Sequence, residues 1–117
     1  MDWKNYFEKG KEITLATSSK ECVPNANIVV SYGFVDDKLL VANCQMTNTI
    51  NNLKENDNIC VIGGYFRIKG KVDIFSSGKY FDLVAQKNEE YTAKNAILIS
   101  INEVFDLDKV EAIYKGQ

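Results

Sequence analysis

The sequence predicts a mainly β, α+β domain: an antiparallel barrel of six strands with short flanking helices, spanning residues 1–117 as one unit. Segments of alternating apolar and polar residues, rich in β-branched side chains, recur along the chain. Turn-forming clusters separate them, and helical spacing is confined to a few short stretches. At 117 residues, with 45% apolar and 11% aromatic content, the chain has the size and apolar share of an ordinary domain.

The elements follow in order. Trp3, Tyr6 and Phe7 fall at helical spacing and Gly10 is a natural stop, which predicts a short amphipathic helix over 2–9 that packs on the core. Residues 12–17 alternate and form the first strand, and Ser18-Ser19-Lys20-Glu21 turns the chain. Pro24 opens the second strand, 25–32, because the first position of a strand tolerates a missing N–H. Asp36-Asp37 turns into a third strand over 38–43. Ile50 and Leu53, three apart, predict a helix over about 48–55, with Thr47 or Thr49 as its N-cap. Residues 59–63 read as a buried-type strand, and 66–75 as a longer one that alternates Phe66, Ile68, Gly70, Val72 and Ile74 against Arg67, Lys69, Lys71 and Asp73. Gly63-Gly64 suggests a bulge. A helix over roughly 78–89, with Tyr80, Phe81 and Val84 on its apolar face, precedes a last strand, 96–104, and a polar tail.

Composition excludes several function classes. There is no histidine, which removes Ser-His-Asp and Cys-His hydrolysis and the usual His-ligated zinc, iron or haem sites. Neutral-pH chemistry then has to come from a bound group, and no catalytic side chain or metal ligand is predicted. Net charge is −2, with 14 basic and 16 acidic residues and Arg67 the lone arginine, so no nucleic-acid partner is expected. Apolar runs such as 59–62 and 96–99 are far shorter than the ~18 residues of a membrane span. Met1 to Glu8 is acidic and lacks an apolar stretch, so it is not expected to be a signal peptide. Cys22, Cys44 and Cys60 are odd in number and widely spaced, the pattern of reduced, core-type thiols in a cytoplasm.

The stretch that can carry chemistry runs from Asn25 to Leu53. A strand bearing Asn25 and Asn27 leads by a hairpin to Leu39-Leu40-Val41-Ala42-Asn43, then to the hydroxyl- and amide-rich turn Thr47-Asn48-Thr49 at a helix start. Free N–H groups there, joined by hydroxyls, suit a phosphate or another anion; Thr and Asn also serve as plain caps at such a place. Asn27 on its alternating strand suits either a barrel-mouth position without a ligand or a ligand contact.

The order of these segments resembles the small FMN-binding split barrels related to pyridoxamine 5'-phosphate oxidase, general stress protein-like members included. The resemblance covers nearly the whole chain: the amino-terminal helix, Ile13-Thr14-Leu15-Ala16-Thr17, Pro24-Asn25-Ala26-Asn27, Thr49-Ile50-Asn51-Asn52-Leu53 and Phe66-Arg67-Ile68-Lys69-Gly70-Lys71-Val72. It implies a six-stranded antiparallel split barrel that holds FMN at a homodimer interface. Asn25, Asn27, Ile28 and Val29 would face the flavin, with Asn27 and Ile28 nearest the ring. Val41, Ala42 and Asn43 would add backbone contacts, and Thr47, Asn48, Thr49 and Asn52 would surround the phosphate. Family members often write that turn Lys-Thr-x-x-Asn-Leu; here Asn48 stands in the lysine position, while Thr49, Asn52 and Leu53 match.

The activity so implied is that of a flavin-dependent oxidoreductase or electron carrier with a small-molecule redox partner. A vitamin B6 oxidase is not implied, since no arginine follows Arg67. Two alternatives stand beside it: a non-catalytic ligand-binding or stress-associated module of the same fold with weak or no FMN binding, and a relative that uses deazaflavin.

Overall fold

In a computed structural model that describes residues 3–44, 46–85 and 93–116, alternation along the strands becomes one antiparallel sheet wrapped around an apolar core. The strands are β1 (Glu12–Ser18), β2 (Pro24–Val30), β3 (Phe34–Val35), β4 (Lys38–Asn43), β5 (Asn58–Gly63), β6 (Phe66–Phe75), β7 (Asn95–Asp106) and β8 (Glu111–Lys115). Their order is β2-β1-β5-β6-β7-β4-β3, and β8 pairs with the far half of β7. The helices are α1 (Thr47–Glu55) and α2 (Lys79–Val84), preceded by a 3-10 turn at Trp3–Phe7.

Side chains from β1, β4, β5, β6 and β7 share one core with Phe7 of the first turn and Ile50 and Leu53 of α1. Val29 of β2 and Phe34 of β3 pack on the same core, although these two strands end the sheet and do not pair with each other. The sheet is therefore curled but split along that seam. Ser31 closes its corner: buried, its hydroxyl donates to the Phe7 carbonyl at 2.6 Å and accepts the Gly33 N–H at 2.9 Å. This is the mainly β split barrel expected, with eight strands rather than six.

Two strands escaped the sequence reading for physical reasons. β3 is only two residues long and exists because Asp36 and Asp37, both at positive φ (53° and 63°), form the tight turn that pairs Val35 with Lys38. The sequence predicts a polar tail where β8 lies; the strand is exposed throughout, so no buried face marks it in the sequence. Gly63 and Gly64 form a hairpin turn instead of a bulge, with Gly63 paired to Phe66. A Cβ on Gly64 would sit 2.5 Å from the Tyr6 ring. The register shift lies at Lys69/Gly70. A Cβ on Gly70 would lie 2.2 Å from the Ser100 carbonyl oxygen, so only glycine lets β6 and β7 approach there.

Burial explains the apolar runs. Leu39-Leu40-Val41 and Ala96-Ile97-Leu98-Ile99 are buried on both faces, because α2 covers the outer side of β4 and β7 through Val84, Tyr80 and Phe81. The 59–63 strand is buried on one face only: Ile59 and Val61 point in, Cys60 is half-buried and Ile62 is exposed. The expected core-type cysteines are corrected likewise. Cys22 is exposed, Cys44 and Cys60 are intermediate, and all three are free thiols. Residues 86–89 of the helix expected over 78–89 lie outside the described residues, as does residue 2 of the first helix.

α2 is tied to the β3–β4 turn by Asp36, whose Oδ2 accepts from Lys79 Nζ and from the Tyr80 hydroxyl, each at 2.7 Å. Those hydrogen bonds, Lys79 first, hold the Asp36 carboxyl below its ordinary value of 3.8, and raise Lys79 above 10.5 and Tyr80 above 10.0. A lowered acid stabilises the fold above its unfolded pKa and loses that contribution as pH falls through the folded one. Raised Lys79 and Tyr80 contribute below their unfolded values and lose it as pH climbs through the folded ones. In urea titrations, wild type should therefore exceed Asp36→Asn most from about pH 5 to 9, and the gap should close at both extremes. All three groups are solvent-exposed, so the gap will be small.

Candidate functional site

The stretch from β2 to α1 gathers amide and hydroxyl side chains. Outward residues of β2 are apolar and exposed, Ile28 at 72% and Val30 at 51%, while Asn25, Asn27 and Val29 point inward and are half-buried. That is the reverse of a usual half-buried strand, and it aims two asparagines at the start of α1. Thr49, 1% exposed, meets them: its hydroxyl donates to Asn27 Oδ1 and accepts from Asn25 Nδ2 at 3.1 Å. Asn25 Nδ2 also donates to Asn27 Oδ1 at 2.9 Å. One turn on, Asn52 Nδ2 donates to the buried Thr17 hydroxyl of β1 at 3.1 Å, and Asn56 Nδ2 to Ser18 Oγ at 3.1 Å. These bonds fix α1 across the ends of β1 and β2.

The start of α1 itself is uncapped. Its N-cap is Met46, which offers no side-chain bond, and both threonines expected as caps lie inside the helix. The first N–H groups of the helix, before that of Ile50, which donates to the Met46 carbonyl, are left without an intrahelical partner. Asn43 positions this turn from below: Oδ1 accepts the Met46 N–H at 2.7 Å and Nδ2 donates to Asn95 Oδ1 at 2.9 Å. Asn95 passes its own amide on to Ser76 Oγ at 2.9 Å.

Between β2 and α1 lies a cleft of about 210 Å³, lined by Asn25, Asn27, Met46, Thr47, Asn48 and Thr49. Five of the sequence-predicted residues meet there. Asn52 stands a turn farther along α1 and Ile28 is on the opposite face of β2. Val29 packs on the core, as does the fully buried Val41, and Ala42 lies against the α2 side. Asn43, 4% exposed, engages both ends of its amide within the protein. Sequence reasoning missed Met46, whose only signal was its place before Thr47, and the Asn43–Asn95–Ser76 chain, which links residues far apart in sequence.

The donor set fits the phosphate and ribityl end of a flavin nucleotide: open helix N–H groups, the Thr47 hydroxyl and the Asn48 amide. The cleft equals about seven water volumes and is smaller than the ~300–1,000 Å³ typical of whole-ligand pockets. It is too small to enclose a tricyclic ring, and β2 beside it is an edge strand with unpaired backbone groups.

A larger open groove of about 710 Å³ crosses β1, β5, β6, β7 and β8 past Cys60, Lys69, Glu103 and Lys115. Partial burial raises the Cys60 thiol above its ordinary value, against the pull of Arg67 and Lys69, so it is protonated at neutral pH. Arg67 is not simply a solvated charge. Its guanidinium stacks 4.8 Å from the Phe105 ring centroid, with Nε buried. Tyr65 is 71% exposed at the β5–β6 turn. Among the described residues, no helix is long and apolar enough to cross a membrane.

Comparison with known proteins agrees with this architecture. HupZ of Group A Streptococcus superposes with a TM-score of 0.77 at 16% identity, covering 88% of this chain and 90% of that one. General stress protein 26 of Bacillus anthracis gives 0.70 at 16%, covering 93% and 92%. An FMN-binding protein of Syntrophomonas wolfei gives 0.68 at 15%, covering 97% and 82%. No curated protein matches the sequence. The sequence profile of pyridoxamine 5'-phosphate oxidase matches residues 3–112, and on that match the chain belongs to the pyridoxamine 5'-phosphate oxidase family.

Proposed function

We propose that the chain is an FMN-binding flavoprotein of the cytoplasm that works as a flavin-dependent oxidoreductase or electron carrier, without being a vitamin B6 oxidase. The observation that carries this reading is the uncapped start of α1 opening into a cleft that Asn25 and Asn27 of an edge strand complete. Thr47, Asn48 and the first N–H groups of α1 would hold the phosphate end. Asn27 and the free edge of β2 would orient the ring, with Ile28 and Val29 beside it and Asn52 and Asn43 bracing the helix. A bound flavin supplies the electron transfer itself, and the protein supplies orientation and polarity. The fold relationship to a protein described as FMN-binding supports the assignment.

A homodimer belongs to the same proposal. Thr14 pairs with Ile28 on one side and Ile62 on the other, so exposed Ile28 and Ile62 flank half-buried Thr14 in one row across β2, β1 and β5. With Val30 they make an apolar surface that a second copy would bury. A second reading, a module that binds flavin weakly, is favoured by one observation: among the described residues, none that lines the cleft is charged. Titration decides between them. The lead reading expects purified protein to quench FMN fluorescence saturably, and the absence of quenching would overturn it.

A further inference from the structure

Resting on the assignment of the cleft to a flavin, we infer that it is an end-group site without charge, which accepts the unphosphorylated flavin alongside FMN. Every lining residue among the described residues is neutral: three asparagines, two threonines and a methionine. The charged residues of α1 are remote from its start. Lys54 and Glu55 stand at the other end of the helix, and Glu55 is paired with Lys20 at 3.7 Å. Lys69 and Lys115 line the other groove, and Arg67 is stacked on Phe105.

A phosphate monoester carries about −1.5 to −2 charges at neutral pH, and removing it from water is costly. Neutral donors return part of that cost, without the point charge a lysine would add. The terminal hydroxyl of riboflavin has no such desolvation cost and is both donor and acceptor. It therefore matches a lining in which Asn48 and Thr47 offer both kinds of group. Preference for the phosphorylated flavin is consequently small. It also responds little to salt, because the described residues that line the cleft carry no charge whose attraction salt would screen.

The experiment is a fluorescence titration of the intact protein with FMN and with riboflavin, at about 50 and about 500 mM salt, repeated with Asn48→Lys. The inference expects wild type to prefer FMN by no more than about tenfold, with a ratio that changes less than about twofold with salt. It expects Asn48→Lys, at an exposed position, to raise the FMN-to-riboflavin preference about tenfold at low salt, and high salt to erase that gain. A wild-type preference above tenfold that shrinks with salt would overturn the inference while leaving the flavin assignment standing. An unchanged preference in Asn48→Lys would do the same. Failure of both flavins to bind would overturn the assignment of the cleft, and the inference with it.

Discussion

Thr49→Val will lower stability by about 1–3 kcal/mol and weaken FMN binding by about tenfold, while Thr49→Ser will stay close to wild type. Valine keeps the volume of a side chain that is 1% exposed, so packing changes little. What it removes is the hydroxyl that donates to Asn27 Oδ1 and accepts from Asn25 Nδ2. Asn25 then loses the acceptor for one of its N–H bonds in a half-buried place, and the pair of asparagines loses its anchor on α1. An unsatisfied polar group in such a setting costs on the order of 1–3 kcal/mol, which urea unfolding at unchanged m-value would register. The binding loss follows because the two asparagines that complete the cleft are then free to turn. FMN affinity equal to wild type in Thr49→Val would show that this triangle is structural only.

Leu15→Ala should have the larger effect on stability. Leu15 lies at the centre of β1, fully buried, paired across to Asn27 of β2 and Val61 of β5. Truncating a leucine enclosed this way removes transfer free energy and leaves a cavity that a curled sheet closes poorly, a cost of about 3–5 kcal/mol. For a domain of this size each kcal/mol shifts the midpoint by roughly 4 °C or more, so thermal unfolding should drop by about 10–20 °C. A drop of only a degree or two would mean that the core under β1 collapses around the gap. Because Leu15 sits opposite Asn27, the same variant also tests how far the cleft depends on a rigid β1.

β6 was read to the residue, since Phe66, Ile68 and Val72 face the core against exposed Lys69, Lys71 and Asp73. β4 and α1 were found for similar reasons: both have one strongly apolar face or run, and each is bounded by turn chemistry. β8 was not legible, because a strand exposed on every residue has no period to read. The inversion of β2 was also hidden. Alternation shows that Asn25 and Asn27 share a face, but not which face, and the apolar set Ala26, Ile28 and Val30 points outward.

The sequence by itself determined the mainly β class, most strand positions, the absence of imidazole chemistry and the polar turn at Thr47–Thr49, all properties of local order. Only the tertiary structure decided that Asn25 and Asn27 reach Thr49, that Met46 leaves the start of α1 uncapped, and that the Asn43 amide bonds to Asn95 and to the Met46 N–H. The reason is separation along the chain. These contacts join β2 to α1 and β4 to β7 through register and curl, and no local pattern encodes where a sheet brings two distant strands together.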